Sequence, residues 1–193
     1  HLHNTGGLGP RGPGSGAGLC VWTSINHAGL WANEEQLFDL QKKMTQREGG
    51  GWPEKVDKVL PELAPGVQYM QYTGTDPAVI KLALRTGRMP CVTYGYSPRY
   101  VGPRNPAGRI SHMVNCVHLS DRWACVLDSN FVPETVQQKE DPKTYEWMAP
   151  AEFQARWTAG DGTGWVVVPL HVGPPPIPVN RGIIGCRVSG VGC

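Results

Sequence analysis

Apolar and polar positions repeat at helical spacing in the first half of the chain and at strand spacing in the second. Val21, Ile25 and Ala28, with Trp22 beside them, predict a helix from about Cys20 to Trp31. Asn33, followed by Gln36, reads as an N-cap and capping box for a second helix with the stripe Leu37, Leu40 and Met44. Gly49, Gly50 and Gly51 stop it. Pro53 opens a third helix carrying Val56, Val59, Leu60 and Leu63. Asp76 and Pro77 open a fourth with Val79, Ile80, Ala83 and Leu84, and Gly87 stands where a C-cap belongs. Residues 90–96 then predict a strand, and 97–110 a long loop rich in Pro and Gly. A hairpin follows: a strand from His112 to Leu119, a turn at Ser120 and Asp121, and a return from Arg122 to Asp128. Residues 131–148 are polar and irregular. Pro150 opens a helix with Phe153 and Trp157 on one face, and Trp165 to Leu170 is a last strand. Helices first and an antiparallel sheet afterwards predict an α+β fold, without internal repeats.

Composition bounds this picture. The chain has 193 residues, 40% of them apolar and 18% charged, which is enough for one domain with a real core. The 25 Gly and 18 Pro cluster towards both ends. Residues 1–18 therefore read as a Gly/Pro-rich arm, 19–170 as the folded domain and 171–193 as a Pro/Gly-rich tail containing the extended run 174–178. The arm is either a flexible leader or a backbone that passes very close to something else. A net charge of +2 without a basic run argues against a nucleic-acid partner. No apolar run approaches the roughly 20 residues of a membrane helix. The first residue is His, which reads as a processed piece or fragment. The compartment stays open, with an extracellular or cell-surface setting favoured.

The six cysteines form no CxxC pair, so zinc is not expected. Cys116 and Cys125 are placed to face each other in the hairpin, and Cys186 and Cys193 to close a loop in the tail. Ordinary buried thiols are the alternative.

The chemistry centres on Cys20. It follows glycines and starts a helix, where unpaired N–H groups and about half a positive charge favour thiolate over thiol. A thiolate nucleophile needs a base. His27 lies two turns up the same helix and His171 borders the tail; His1 and His3 sit on the arm. His112 and His118 remain, on one strand. With the turn near Ser120, residue 112 lies opposite 128 or 129, and facing side chains stand about 5 Å apart. His112 thus gains Asp128 as neighbour, with Asn130 in reserve as the orienting residue. His118 faces Arg122 and gains no carboxylate.

On these residues the chain resembles the papain-like cysteine peptidases, nearest their bacterial C39-like branch. The segment from Gly18 to Ser24 is similar to the family's nucleophile motif, Ser111 to Val114 to its His strand, and Val126 to Ser129 to the strand of the third member. Pro90 to Thr93 and the late aromatic helix before the final strand also fit that branch. The resemblance spans about residues 15 to 170. It implies a central helix with the nucleophile at its start, packed on an antiparallel sheet. It implies a cysteine peptidase or related amidohydrolase working through Cys20, His112 and Asp128 and a thioester acyl-enzyme. It implies a peptide or protein substrate, and no metal or organic cofactor. The Cys20 backbone N–H would serve the oxyanion. The family's Gln, about six residues before the nucleophile, is Gly14 here, and Asn4 is the only amide on the arm. A non-catalytic domain of the same fold, binding or assembling with protein partners through its two arms, is the alternative reading. Acyl transfer to an amine, as in transglutaminase-like relatives, is a third.

Overall fold

The computed structural model describes residues 6–131 and 144–171. It is a mixed α+β fold with two antiparallel sheets. Strands β3 (Tyr69–Gly74), β4 (Cys91–Tyr96), β5 (Arg109–Leu119), β6 (Ala124–Leu127), β7 (Tyr145–Met148) and β8 (Gly164–Pro169) form one six-stranded sheet in the order β3-β8-β4-β5-β6-β7. Side chains alternate across it, so β3, β4, β5 and β8 feed two cores. Cys91, Met113, Trp165 and Val167 pack beneath α1 (Cys20–Ala32), α2 (Leu40–Met44) and α3 (Pro53–Leu63). Val92, Tyr94, Val114, Val126 and Val166 pack on the other face with α4 (Ala78–Arg85) and α5 (Pro150–Trp157). The result is three layers with a doubly covered sheet, whose interior strand β8 is buried from end to end.

Helix α1 is the axis of the first core. Trp22 and Ile25 are wholly buried, and even the polar Thr23, Ser24 and Asn26 are covered, so the helix is enclosed on nearly every side. Ser24 Oγ donates to the Met113 carbonyl at 3.1 Å, and Asn115 Nδ2 donates to the Ser24 carbonyl at 2.9 Å. These two bonds pin the first turns of α1 to β5. At the other end, Asn33 has φ 56 and caps α1 in the left-handed conformation. It does not open the second helix: Glu34 caps a short 3-10 turn at Glu35–Leu37 before α2. Asn serves at both kinds of helix end, which is how the sequence misleads here.

The described part of the N-terminal arm is structured. β1 (Gly6–Gly9) and β2 (Gly12–Gly18) pair as a hairpin. Its backbone lies against residues 47–50: Gly50 N–H bonds to the Gly18 carbonyl at 2.9 Å, and Leu8 forms a bridge with Glu48. A Cβ on Gly49 would stand 1.8 Å from the Ala17 carbonyl oxygen, so only glycine permits this approach. Trp22 Nε1 donates to the Gly50 carbonyl at 2.8 Å and ties the same segment to α1. The hairpin thereby fixes the chain that enters Cys20.

Two strands escaped the periodicity. β3 is half-buried along most of its length, and β7 lies within the stretch read as irregular. The hairpin register also differs. Asn115 pairs with Leu127 and Cys116 with Val126, but a bulge then sets His118 against Cys125 and Leu119 against Ala124. One extra residue in β5 shifts the partner of every earlier position. On the turn side of the bulge, the turn over residues 120–123 sets Cys125 against His118, not Cys116, and His118 does not face Arg122. Cys20, Cys91, Cys116 and Cys125 are free thiols. The suggested loop between Cys186 and Cys193, the proline run of the tail, and His1 and His3 lie outside the described residues.

Candidate active site

Cys20 is the first residue of α1 and is half-buried. The first intrahelical bond runs from Thr23 N–H to the Leu19 carbonyl, so the N–H groups of Cys20, Val21 and Trp22 stand outside the helical ladder. His112 comes from β5, which α1 crosses, and is buried. His112 and the Cys20 thiol act on each other's titration, the imidazole lowering the thiol and the sulfur raising the imidazole. Its Nε2 lies 2.8 Å from Asp128 Oδ1, just past the end of β6. With Nε2 committed to the carboxylate, Nδ1 is the edge left for sulfur. The structure thus joins His112 to Asp128 by a hydrogen bond and brings Cys20, at the helix tip, within electrostatic reach of the imidazole.

Burial by itself raises the Cys20 thiol. The hydrogen bond and charge of His112, joined by backbone bonds from Met113 and Val21, outweigh it, and the net shift is downward. Burial by itself lowers His112, but its interactions with Asp128, which accepts from Nε2, and with Cys20 prevail and push it up to about 9. Asp128 is held below the ordinary carboxylate range: burial opposes this, and His112, the Asn130 N–H and Tyr100 overcome it. The remaining described thiols behave oppositely. Burial lifts Cys116 to about 12 and Cys125 to about 11, and it raises Cys91 as well. Cys20 alone among them combines access with a lowered pKa.

Asp128 is held by a cluster that the sequence did not reveal. Tyr100, at the end of a 3-10 turn (Pro98–Tyr100), donates its hydroxyl to Asp128 Oδ2 at 3.1 Å. Its ring lies 5.9 Å from the His112 ring and edge-on to Phe131 at 5.6 Å. Asn130 donates its backbone N–H to Asp128 Oδ1 at 2.9 Å and its side-chain amide to the Tyr100 hydroxyl at 2.7 Å. Asn130 therefore steadies Asp128 through Tyr100. Behind Phe131 lies an ionic brace. The Arg99 guanidinium sits 4.3 Å over the Phe131 ring and 3.8 Å from Glu146, which also pairs with the buried Arg156 at 2.8 Å. The only hint of Tyr100 in the sequence is an aromatic residue inside a loop otherwise made of turn formers.

The other histidines stand apart. His27 is buried, and burial chiefly pulls it down to about 4. His118 is exposed and bonds Ser120 Oγ at 3.1 Å. His171 lies 3.5 Å from Glu34. Gly14, at the position of the family's Gln, has φ 85 and open space where a side chain would begin. Asn4 lies outside the described residues. A cleft of ≈ 450 Å³ opens beside His112, lined among others by Thr93, Tyr94, Ile110, Trp157 and Trp165, with Asp161 at its rim. Among the described residues no cluster of His, Cys, Asp and Glu is arranged to hold a metal ion, and no helix is long and apolar enough to cross a membrane.

No protein-family model matches the chain, and no curated protein matches it.

Proposed function

We propose that the chain is a papain-like thiol hydrolase that cleaves amide bonds in peptides or proteins. The observation that carries this reading is the 2.8 Å approach of His112 Nε2 to Asp128 Oδ1, with the same imidazole lowering the Cys20 thiol at the start of α1. In the forward step His112 takes the thiol proton and Cys20 Sγ attacks the carbonyl carbon. The tetrahedral oxyanion accepts hydrogen bonds from N–H groups at the start of α1. The C–N bond breaks, the amine departs with the proton from His112, and a thioester remains on Cys20. Water then attacks, giving its proton to His112; the acid leaves and the thiol is restored. Asp128 keeps the imidazole in the tautomer and orientation that both steps need. The cleft beside His112, walled by Ile110, Trp157 and Trp165, suits an apolar or aromatic side chain next to the scissile bond.

The test is selective alkylation together with turnover. Iodoacetamide at neutral pH, with sites read by peptide mass mapping, should modify Cys20 well ahead of Cys91, Cys116 and Cys125, and should abolish hydrolysis of a peptide library in step. Equal labelling of the four thiols, or hydrolysis that survives Cys20→Ser, overturns the proposal. The second reading, a non-catalytic binding or assembly module, draws its support from Gly14, which supplies no side-chain donor to an oxyanion. Fast Cys20 labelling without any turnover would favour it.

A further inference from the structure

A second concave site lies at the far end of β5. It is a pocket of ≈ 310 Å³ between the end of α1, the end of α4 and residues 116–119. His118 is six residues from His112, about 20 Å along the strand, so this pocket is separate from the cleft beside His112. Its wall is the Trp31 indole, its floor includes Leu84 and Met89, and its rim carries Lys81, Arg85, Arg88 and His118. No carboxylate lines it. In a chain with a net charge of only +2, this is a local concentration of one sign.

Two of its parts are held in place before any ligand arrives. Trp31 is 61% exposed, yet its Nε1 donates to the Gly87 carbonyl at 3.3 Å, which keeps the ring upright beside the opening. Gly87 itself has φ 78, a conformation that suits glycine and that turns its carbonyl out of the end of α4. Arg88 Nε donates to the Leu170 carbonyl at 2.9 Å, which fixes its guanidinium. Lys81 is paired with Asp121 at 2.7 Å, so the uncompensated charge is that of Arg85 and Arg88. Arg85 has no hydrogen bond or ion pair among the described residues. An apolar hollow at the small end of ligand-site volumes, with an aromatic wall and two arginines at its mouth, matches one chemistry.

We propose that this pocket binds a small organic anion: a carboxylate carried on an aromatic or aliphatic body. The body stacks on Trp31 and fills the space over Leu84, while the carboxylate meets Arg85 and Arg88. The site is independent of the hydrolase reading. The test is calorimetric titration of the full chain with 4-phenylbutyrate at low salt, alongside its uncharged amide and inorganic phosphate. Saturable one-to-one binding is expected for the carboxylate. The amide and inorganic phosphate should each bind at least about tenfold more weakly. Arg85→Glu and Trp31→Ala, both exposed positions that leave the core intact, should each weaken the carboxylate about tenfold, while Cys20→Ser leaves it unchanged. No saturation by about 1 mM, equal binding of the amide or of phosphate, or indifference to Arg85→Glu and Trp31→Ala overturns the proposal.

Discussion

Asp128 Oδ2 accepts a hydrogen bond from Tyr100, while Oδ1 is shared between His112 and the Asn130 N–H. Tyr100→Phe would leave a buried, charged oxygen without that donor. The expected loss is about 1.5–3 kcal/mol, read by urea unfolding at pH 7. A loss of only a few tenths would show that water replaces the hydroxyl. Asp128 also links stability to acid. Its folded pKa is depressed, so its contribution is present above the unfolded value of about 3.9 and disappears as pH falls through the folded value. On the proposed hydrolase reading, His112 sets the alkaline side of turnover. Its imidazolium persists to about 9, so peptide hydrolysis should fall through that pH, while alkylation of the Cys20 thiolate should not fall. Asp128→Asn removes the main support for the imidazolium, and the alkaline limb should move towards 6.5, measured as kcat/KM against pH.

Capping and register decide what the elements bring together. Asn33 occupies a left-handed position that a β-branched residue adopts only at a cost of roughly 1–2 kcal/mol. Asn33→Val should therefore lower the thermal midpoint, and Asn33→Gly should leave it level or raise it. Equal effects would mean that the Asn side chain, not its φ, matters. Much of this level is legible in the sequence. The helices at Cys20, Pro53, Asp76 and Pro150, and the strands around Val92, Val114, Val126 and Val167, announce themselves through periodicity and first-turn prolines. The meeting of His112 and Asp128 was also legible, but by a route only partly right. The hairpin was read as regular, whereas the bulge beyond Cys116 moves the pairing by a residue. Asp128 directly follows β6, and the short 3-10 turn Ser129–Phe131 then carries Asn130 to its place. A bulge without glycine leaves no mark in the sequence. Tyr100 was invisible for a related reason: its position depends on how a loop folds back, which spacing does not encode.

At the scale of the whole molecule, two layers of helices hold one sheet, and the sheet holds the chemistry. Both faces of β5 are covered, which keeps His112 fixed while α1 presents Cys20 to it. The small sheet of β1 and β2 is built differently. It rests on backbone contact with residues 47–50, and a Cβ on Gly49 would stand 1.8 Å from the Ala17 carbonyl oxygen. Gly49→Ala should displace the hairpin, leave the core strands folded, and slow Cys20 alkylation, because the chain entering α1 loses its support. Unchanged alkylation would assign the hairpin no part in placing Cys20. Strands made mostly of glycine bury little apolar surface, so parting them from the body exposes little to water. Arg11 stands exposed at the two-residue tip, with Gly12 after it. Trypsin therefore finds a substrate bond where opening is cheap, and a single cut there would separate the strand before the tip from the strand that leads into Cys20.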